Sequence, residues 1–312
     1  IPGCEEEGII LGHERTFEDK VLDRLKLTEA TKANLDAVFV LYEDPQGYLE
    51  PFLAQTDNAQ PHIEARTVDG VVQRLWRVPA ARSVTSFFQD KPLYIADGHH
   101  RYRAALEYRT QMPQPQPSSV PHECDYVLMG FVEFSDPGLV VWPTHRLLDL
   151  PAGLEPETLL ARLRPWFEVK PVAATQGPSA FIERVNRGDG CTLGLAIHDF
   201  GYFTLTLRDV DREDFLGKDR GAAWRELDVA VLHRGILERA LGMQEGVELD
   251  YEPSYAKTLA RVESGEKALA FLLKAIPPEQ VRTCAKAGLY MPEKATYFFP
   301  KLPSGTVIHR LI

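Results

Sequence analysis

The sequence has few or none of the features that identify several common protein classes. Its 312 residues include only four cysteines, which are far apart and lack the paired spacing of a zinc site or redox motif. No apolar run approaches the roughly 18 residues of a membrane-spanning helix, so we expect no membrane association. Acidic residues outnumber basic ones by 45 to 35, and the formal net charge of −10 argues against a dedicated nucleic-acid binder.

Other absences concern the N-terminus and nucleotide motifs. The segment Ile1 to Glu7 has no basic stretch followed by an apolar core, so it does not resemble a secretory signal. Together with the scattered cysteines, this predicts a cytoplasmic protein. No Met precedes Ile1, and we expect the natural N-terminus to lie upstream. Neither a Walker A motif nor a Gly-x-Gly-x-x-Gly motif is present.

The most informative stretch of the chain runs from Leu93 to Tyr108. Its apolar start, Leu93 to Ala96, predicts a buried strand, and Asp97 and Gly98 interrupt the strand before a helical pattern begins. We expect Asp97 to be the N-cap of that helix.

The first turn of this predicted helix carries three side chains that bear or accept positive charge, namely His99, His100 and Arg101. A cation at that end of a helix is unfavourable by roughly 0.3–1 kcal/mol, because the unpaired N–H groups there carry partial positive charge. The cluster is understandable if N–H groups, guanidinium and imidazole together bind an anion. We therefore predict an active or binding site here.

Two further histidine–arginine clusters lie where a predicted strand or turn meets the next element. One runs from His13 to Arg15, directly before a helix that Thr16 to Asp19 opens with a predicted capping box. The other is the pair His145 and Arg146, at the end of a predicted strand. Since side chains from several elements converge at such junctions, we expect one common site. The alternative is that each cluster pairs within itself as a partly buried ionic network.

Two kinds of site are compatible with these residues. A phosphate site would use Arg15, Arg101 or Arg146 as bidentate donors. Glu14 or Asp97 would then be a base or a magnesium ligand. A metal site would instead combine histidines with one carboxylate. Its candidate histidines are His13, His99 or His100, and His145. Arginines repel a divalent cation unless an anion is bound beside it, so we favour phosphate, with Mg²⁺ arriving on a nucleotide.

The remaining pattern predicts an α+β protein, a mixed sheet with flanking helices. We expect a division into residues 1–150 and 151–312. The strongest hairpin signal is the pair of alternating runs around Asp69-Gly70, and a second hairpin is predicted between Thr192 and Arg208.

Three other segments carry specific expectations. Ala222 to Leu241 is predicted as one long helix and Gly265 to Leu273 as a short one. The proline-rich segment Gln111 to Pro121 is predicted as an exposed loop. The aromatic tail Met291 to Lys301 is expected to pack back onto the body, with Lys301 at the surface.

Four of these segments resemble motifs of the bacterial and archaeal family known as domain of unknown function 1015. They are Gly12 to Thr16, Tyr94 to Tyr102, Pro143 to Arg146 and Met291 to Phe298. The resemblance covers all but the first residues of the chain. It departs from the family in having Ala295 where serine is usual, and in lacking a further N-terminal segment.

The segment Asp97 to Arg101 is also similar to the phosphate-binding box of the ParB/sulfiredoxin superfamily, where a strand–turn–helix with a Gly-x-x-Arg core holds nucleotide phosphates. The resemblance implies a ParB/sulfiredoxin-like core in residues 1–150 and a C-terminal α/β region in 151–312. It makes Glu14 the candidate general base. It also implies phosphate contacts from Gly98, His99, His100 and Arg101.

We therefore expect a nucleotide-binding phosphotransferase, such as a small-molecule kinase, or a nucleotide hydrolase that acts on a small molecule. The catalytic candidates are Glu14, Asp97 and His145, with His145 and Arg146 stabilising developing charge. The alternatives are a non-catalytic sensor of an anionic metabolite and a metal-dependent hydrolase that uses the histidines. The expected partner is an anionic small molecule or a nucleotide with Mg²⁺, not a nucleic acid or a membrane.

Overall fold

The computed structural model describes residues 8–312 except 69, 80, 113–120, 152, 174, 176 and 245–248. The chain divides into two compact units. The first consists of Ile1–Val140 together with Phe298–Ile312, and the second consists of Val141–Tyr297. The last segment of the chain thus belongs to the first unit, and the division into residues 1–150 and 151–312 stays a prediction. Most of the predicted loop Gln111 to Pro121, residue Asp69 and the first seven residues lie outside the described part.

The described part of the chain combines helices with one mixed sheet and one antiparallel sheet, which confirms the α+β class. In chain order, the strands of the described part are β1 (Ile10–Leu11), β2 (Ala33–Asn34), β3 (Val38–Tyr42), β4 (Ile63–Arg66), β5 (Val72–Leu75), β6 (Leu93–Asp97), β7 (Met129–Glu133), β8 (Val140–Trp142), β9 (His145–Leu148), β10 (Phe167–Val172), β11 (Thr192–Ile197), β12 (Gly201–Leu207), β13 (Asp250–Glu252), β14 (Leu269–Leu272), β15 (Tyr297–Phe299) and β16 (His309–Arg310).

The helices vary in length from three to fourteen residues. Those of the described part are α1 (Glu18–Thr31), α2 (Glu50–Leu53), α3 (Arg82–Phe88), α4 (His99–Gln111), α5 (Pro156–Leu163), α6 (Gly177–Arg187), α7 (Arg212–Leu216), α8 (Ala222–Arg225), α9 (Asp228–Ala230), α10 (Tyr255–Glu263) and α11 (Pro278–Lys286), with 3-10 turns at Ala54–Thr56 and Glu123–Asp125 and a π-helical segment at Val231–Ala240. Among the described residues, no helix has both the length and the apolar character needed to cross a bilayer.

The first unit is built on a mixed four-stranded sheet in the order β1-β6-β3-β7. Strand β6 is parallel to β1 and antiparallel to β3, and β3 is parallel to β7. Every residue of β3 is buried, as its continuous apolar sequence predicts. The residues that form the core on one side of this sheet include Ile10, Val38, Val40, Leu93, Ile95 and Tyr102. Helix α4 follows directly from β6, so the sheet fixes where α4 begins.

The second unit is built on an antiparallel six-stranded sheet in the order β10-β12-β11-β14-β9-β13. Helices α6 and α10 contribute to its core, which includes Leu147, Phe181, Val185, Ala196, Leu259, Val262 and Leu272. The hairpin predicted between Thr192 and Arg208 is confirmed as β11 and β12. The hairpin predicted around Gly70 is confirmed as β4 and β5.

Two helix predictions are wrong. The segment Gly265 to Leu273 contains β14, whose four residues are all buried between β9 and β11. A short apolar run does not distinguish a buried helix from a buried strand, and here the sheet decides. The long helix Ala222 to Leu241 is interrupted at Leu227, which is extended at φ −75° and ψ 127°. Its side chain is fully buried, so burial overrides the helical pattern.

Candidate functional site

The turn between β6 and α4 depends on glycine. Gly98 has φ +100° and is the N-cap of α4, so the prediction that Asp97 caps the helix is wrong. Asp97 is instead the last residue of β6. A Cβ atom on Gly98 would lie 2.9 Å from Nε and 2.9 Å from Nη2 of Arg101. A side chain at position 98 would strain the left-handed backbone, and it would also force the Arg101 guanidinium to move.

Two cations converge on the carboxylate of Asp97 at the start of α4. Nη2 of Arg101 donates to Oδ2 of Asp97 at 2.5 Å, and Nζ of Lys301 donates to Oδ1 at 2.6 Å. Nη1 of Arg101 also donates to the carbonyl oxygen of Ala37 at 2.5 Å, which ties the guanidinium to the start of β3. The three charged side chains are a quarter to a third exposed, so solvent reaches all of them.

Lys301 is the residue of this site that the sequence did not predict. It lies 204 positions from Asp97 in the chain, and local spacing gives no sign of such a contact. The structural reason is the burial of the nearby Phe298, which is 0% exposed and lies 6.0 Å from the Phe39 ring and 6.3 Å from the His13 ring. The aromatic density of the tail was the available signal, because it predicts packing onto the body.

His99 is buried and uncharged. Its Nε2 accepts a hydrogen bond from the backbone N–H of His13 at 3.2 Å, and its Nδ1 lies 3.6 Å from Oε2 of Glu14. Burial lowers the pKa of His99 well below its ordinary value, and the nearby His13, His100, Lys301 and Arg101 lower it further. Because Nε2 accepts, Nδ1 carries the ring hydrogen on the side of the Glu14 carboxylate.

His13 is fully buried beside His99. The two rings meet edge to face with centroids 4.7 Å apart. Burial lowers the pKa of His13 to about 4, so it is also neutral at pH 7. The adjacent Glu14 side chain is 26% exposed. The turn before α1 thus places a buried neutral ring and a solvent-accessible carboxylate next to the first residue of α4.

The other two predicted residues of this region have different surroundings. Nε2 of His100 accepts from the backbone N–H of Phe17 at 3.1 Å, and the two rings are stacked at 6.0 Å. Phe17 is the N-cap of α1 and has no side-chain cap, so the predicted capping box at Thr16 and Asp19 is wrong. Arg15 is exposed.

The structure therefore brings together five side chains that we call the α4 site. Asp97 contacts Arg101 and Lys301, and Glu14 lies beside His99. In addition, the first N–H groups of a helix have no acceptor within the helix, and they carry partial positive charge. Arg101, Lys301 and the helix start together favour an anion, while Glu14 is the accessible carboxylate beside them. The members of the α4 site are Glu14, Asp97, His99, Arg101 and Lys301.

The predicted pair His145 and Arg146 lies in β9 of the second unit. Arg146 is 1% exposed, and its guanidinium donates to the carbonyl oxygens of Thr144, Glu293 and Lys294. Its Nε donates to Nε2 of His233 at 3.3 Å. Burial lowers the pKa of Arg146 to about 10. These partners are those of a buried structural cation, and the assignment of Arg146 to a phosphate site remains a prediction.

His145 is also completely buried. Its Nδ1 accepts from the backbone N–H of Leu273 at 3.2 Å, and its ring lies 4.1 Å from that of Tyr255. Burial, with a smaller contribution from Arg146, lowers the pKa of His145 to about 3. The catalytic role expected for His145 likewise remains a prediction.

Metal binding by the histidines was the competing interpretation of the sequence. Within the described part of the chain, no group of three or more His, Cys, Asp or Glu side chains is arranged to hold a metal ion. His99 and His13 instead contact each other.

Comparison with known proteins gives a family and several similar structures. A conserved hypothetical protein from Pyrococcus furiosus is similar at 15% identity and a TM-score of 0.45, over 95% of this chain and 89% of the other. A free serine kinase in complex with AMP is similar at 13% identity and a TM-score of 0.46, over 93% and 83% of the two chains. SbnI from Staphylococcus aureus, with a C-terminal truncation, is similar at 12% identity and a TM-score of 0.45, over 95% and 82%.

No curated protein matches the chain. The family model that matches spans residues 5–230, which include Glu14 and the whole of the turn from β6 into α4. The match covers well over half of the sequence, and the chain belongs to the family described as protein of unknown function (DUF1015).

Proposed function

We propose that the first unit binds the phosphates of a nucleotide at the start of α4 and transfers or hydrolyses a phosphoryl group. The observation that carries this proposal is the convergence of Arg101 and Lys301 on the two oxygens of Asp97, at 2.5 and 2.6 Å. The side chains of Arg101 and Lys301 can therefore bind two neighbouring oxygen atoms at the positive end of a helix. A phosphate group presents three such oxygens, and guanidinium and ammonium groups bind them as they bind a carboxylate.

Electrostatics supports the same assignment. Arg101 and Lys301 place two positive charges at the start of α4, next to the carboxylate of Asp97, and all three side chains are partly exposed. The start of α4 adds roughly half a charge of the same sign. The chain as a whole is acidic, with a formal charge of −10, and these positive groups lie close together within it. The similarity of Asp97 to Arg101 to a known phosphate-binding box is a further support.

Glu14 is the general base of the proposed reaction. Its side chain is 26% exposed and lies next to His99, at the same helix start where the phosphates would bind. A carboxylate there can accept a proton from a small-molecule hydroxyl or from water as the phosphoryl group is attacked. Arg101 and Lys301 would stabilise the negative charge on the transferred group.

Magnesium would arrive with the nucleotide. Mg²⁺ in such sites is held largely by phosphate oxygens and water, with few protein ligands. The α4 site is consistent with this mode of binding, because the described residues include no larger group of metal-binding side chains. When bound, the ion would neutralise phosphate charge next to Arg101 and Lys301.

Ligand-induced stabilisation tests the binding step. We expect ATP, ADP or CTP with Mg²⁺ to raise the melting temperature, as any ligand of the folded state does. Arg101→Ala should abolish the shift and Lys301→Ala should reduce it, since each removes a charged contact to phosphate. Arg103→Ala is the matched control, because Arg103 is on the same helix, half exposed and paired with Glu107. The absence of a shift with every nucleotide, or an unchanged shift in Arg101→Ala, contradicts the proposal.

Glu14→Gln separates binding from chemistry. It preserves the shape of the side chain but removes the base, so nucleotide turnover should fall by about 10²–10⁴-fold while nucleotide affinity is retained. Release of ADP or phosphate measures turnover, and calorimetry measures affinity. If the wild-type protein binds nucleotide but turns it over neither with water nor with a panel of small-molecule alcohols as acceptors, the site is that of a sensor and the proposed catalysis is wrong.

A further inference from the structure

Each nitrogen of the buried His99 imidazole has a polar neighbour, and both neighbours lie in the turn that carries Glu14. Its Nε2 accepts from the backbone N–H of His13 at 3.2 Å, and its Nδ1 is 3.6 Å from Oε2 of Glu14. Thus one rigid ring contacts the backbone of one residue and the side chain of the next. His99 is also the first residue of α4, so the ring connects the helix start to this turn.

The hydrogen bond to Nε2 fixes the protonation state of the ring. Only an unprotonated ring nitrogen can accept a hydrogen bond, so His99 is neutral and its single ring hydrogen is on Nδ1. Its side chain is 4% exposed, and His13 covers it edge to face at 4.7 Å. The ring has little freedom to rotate or flip within this packing. The donor on the side of Glu14 is thereby held in place.

We propose that His99 is a positioning residue for Glu14 and does not contact phosphate. This inference rests on the proposed function, in which Glu14 is the general base. At 3.6 Å the contact is longer than a hydrogen bond, and the Nδ1–H dipole of His99 attracts the Glu14 carboxylate and restrains it beside the start of α4. A neutral donor suits this role, because it restrains the carboxylate without adding a full positive charge that would oppose proton uptake. Arg101 and Lys301 remain the phosphate-binding groups.

Two substitutions distinguish the two ring nitrogens. The side-chain amide of His99→Asn can donate a hydrogen near the position of Nδ1, whereas that of His99→Gln reaches the position of Nε2. We expect His99→Gln to lower kcat by roughly tenfold to a hundredfold, since a misplaced catalytic group has an effect of this order. The nucleotide affinity should be unchanged. His99→Asn should restore most of the kcat.

A double substitution tests whether His99 acts through Glu14. If it does, His99→Gln in a Glu14→Gln background should cause no further loss of kcat, because the group that it positions is already absent. Independent losses that multiply would contradict the proposal. A weaker nucleotide affinity in both His99 variants would show that His99 binds phosphate instead. If His99→Gln and His99→Asn lose kcat to the same extent, and their melting temperatures also fall to the same extent, the role of His99 is purely structural.

An NMR measurement on the wild-type protein needs neither activity nor a variant that folds. The nitrogen shifts of the His99 ring at pH 7 should show the neutral tautomer with hydrogen on Nδ1. The opposite tautomer or a protonated ring overturns the proposal. If the tautomer is as expected but no nucleotide binds, the proposed function fails and the contact between His99 and Glu14 stands without its catalytic role. If nucleotide binds but the tautomer differs, only the positioning proposal fails.

Discussion

Two histidine–arginine segments look alike in the sequence but have opposite surroundings in the structure. The Arg101 side chain is 25% exposed and is paired with a carboxylate that also binds Lys301. Arg146 is 1% exposed and donates to backbone carbonyl oxygens and to His233. The first arginine lies at a helix start that solvent reaches, whereas the second lies within a sheet of the second unit.

The difference indicates how the proposed phosphate-binding arginine is distinguished from a structural one. A carboxylate partner at a partly exposed position can exchange with another anion, because both charges remain hydrated in part. Carbonyl oxygens in a buried position cannot exchange, since each would lose its donor without gaining water. Arg146 holds Glu293 and Lys294 to β9, and this gives it a role in stability. We therefore expect substitution of Arg146 to lower stability more than substitution of Arg101. We expect substitution of Arg101 to weaken nucleotide binding more than substitution of Arg146.

The largest expected effect is the dependence of the free energy of unfolding on pH. Buried histidines near Arg101 and near Arg146 both contribute to it. Burial lowers the pKa of His145 and of His233 to about 3, lowers that of His13 to about 4, and lowers that of His99 well below its ordinary value. The unfolded chain therefore takes up protons below pH 6.5 that the folded chain does not bind. The free energy of unfolding should fall between pH 6.5 and pH 4, by about 1.4 kcal/mol per pH unit for each histidine.

Urea unfolding at a series of pH values measures this slope. His145→Asn should reduce this slope by the contribution of one histidine, about 1.4 kcal/mol per pH unit, because one buried histidine no longer takes up a proton on unfolding. A free energy of unfolding that is constant from pH 6.5 to pH 4.5 would contradict the prediction. It would mean that the rings of both sites are accessible to protons in the folded state, and the distinction between buried and open surroundings would no longer hold.

The two arginines themselves give the next largest effect. Arg146→Gln leaves buried carbonyl oxygens with fewer donors and should lower the free energy of unfolding by about 3 kcal/mol or more. Arg101→Gln removes a partly exposed pair, and Lys301 still holds Asp97, so its effect should be about 1 kcal/mol or less. Chemical unfolding at pH 7 gives both values. Equal losses in the two variants would remove the basis for treating Arg101 as the binding arginine.

The sequence predicts those parts of the fold that local pattern controls. The strand from Leu93, the turn at Gly98 and the helix that follows are confirmed, because an apolar run, a glycine and helix-forming residues are adjacent in the chain. The two hairpins are confirmed for the same reason. By contrast, β14 was predicted as a helix, since its burial between two distant strands decides its conformation.

In the candidate site, too, local sequence predicts some contacts and not others. Asp97 and Arg101 are four residues apart on one turn, so the sequence indicates that they lie together. Lys301 reaches Asp97 only because Phe298 anchors the last segment in the first unit, and no local spacing encodes that contact. The difference between Arg101 and Arg146 is also invisible in the sequence, because exposure depends on which strands and segments cover each side chain.

A third substitution sharpens the comparison, because it moves the Arg101 side chain without removing it. Gly98→Ala places a side chain at φ +100°, which should lower the free energy of unfolding by about 1–2 kcal/mol. Its Cβ would also lie 2.9 Å from the Arg101 guanidinium, so we expect that group to shift from its present position over Gly98.

Gly201→Ala is the matched control for this substitution. Gly201 has φ +115°, and a Cβ there would meet no described atom within 4 Å. Both variants place a side chain at a positive φ, so urea unfolding should give losses of the same order. Only Gly98→Ala should weaken nucleotide affinity in calorimetry, because only there does the new methyl group displace a phosphate-binding cation. An equal affinity in the two variants would show that the position of Arg101 over Gly98 does not matter for binding, and it would leave Arg101 as merely a less buried counterpart of Arg146.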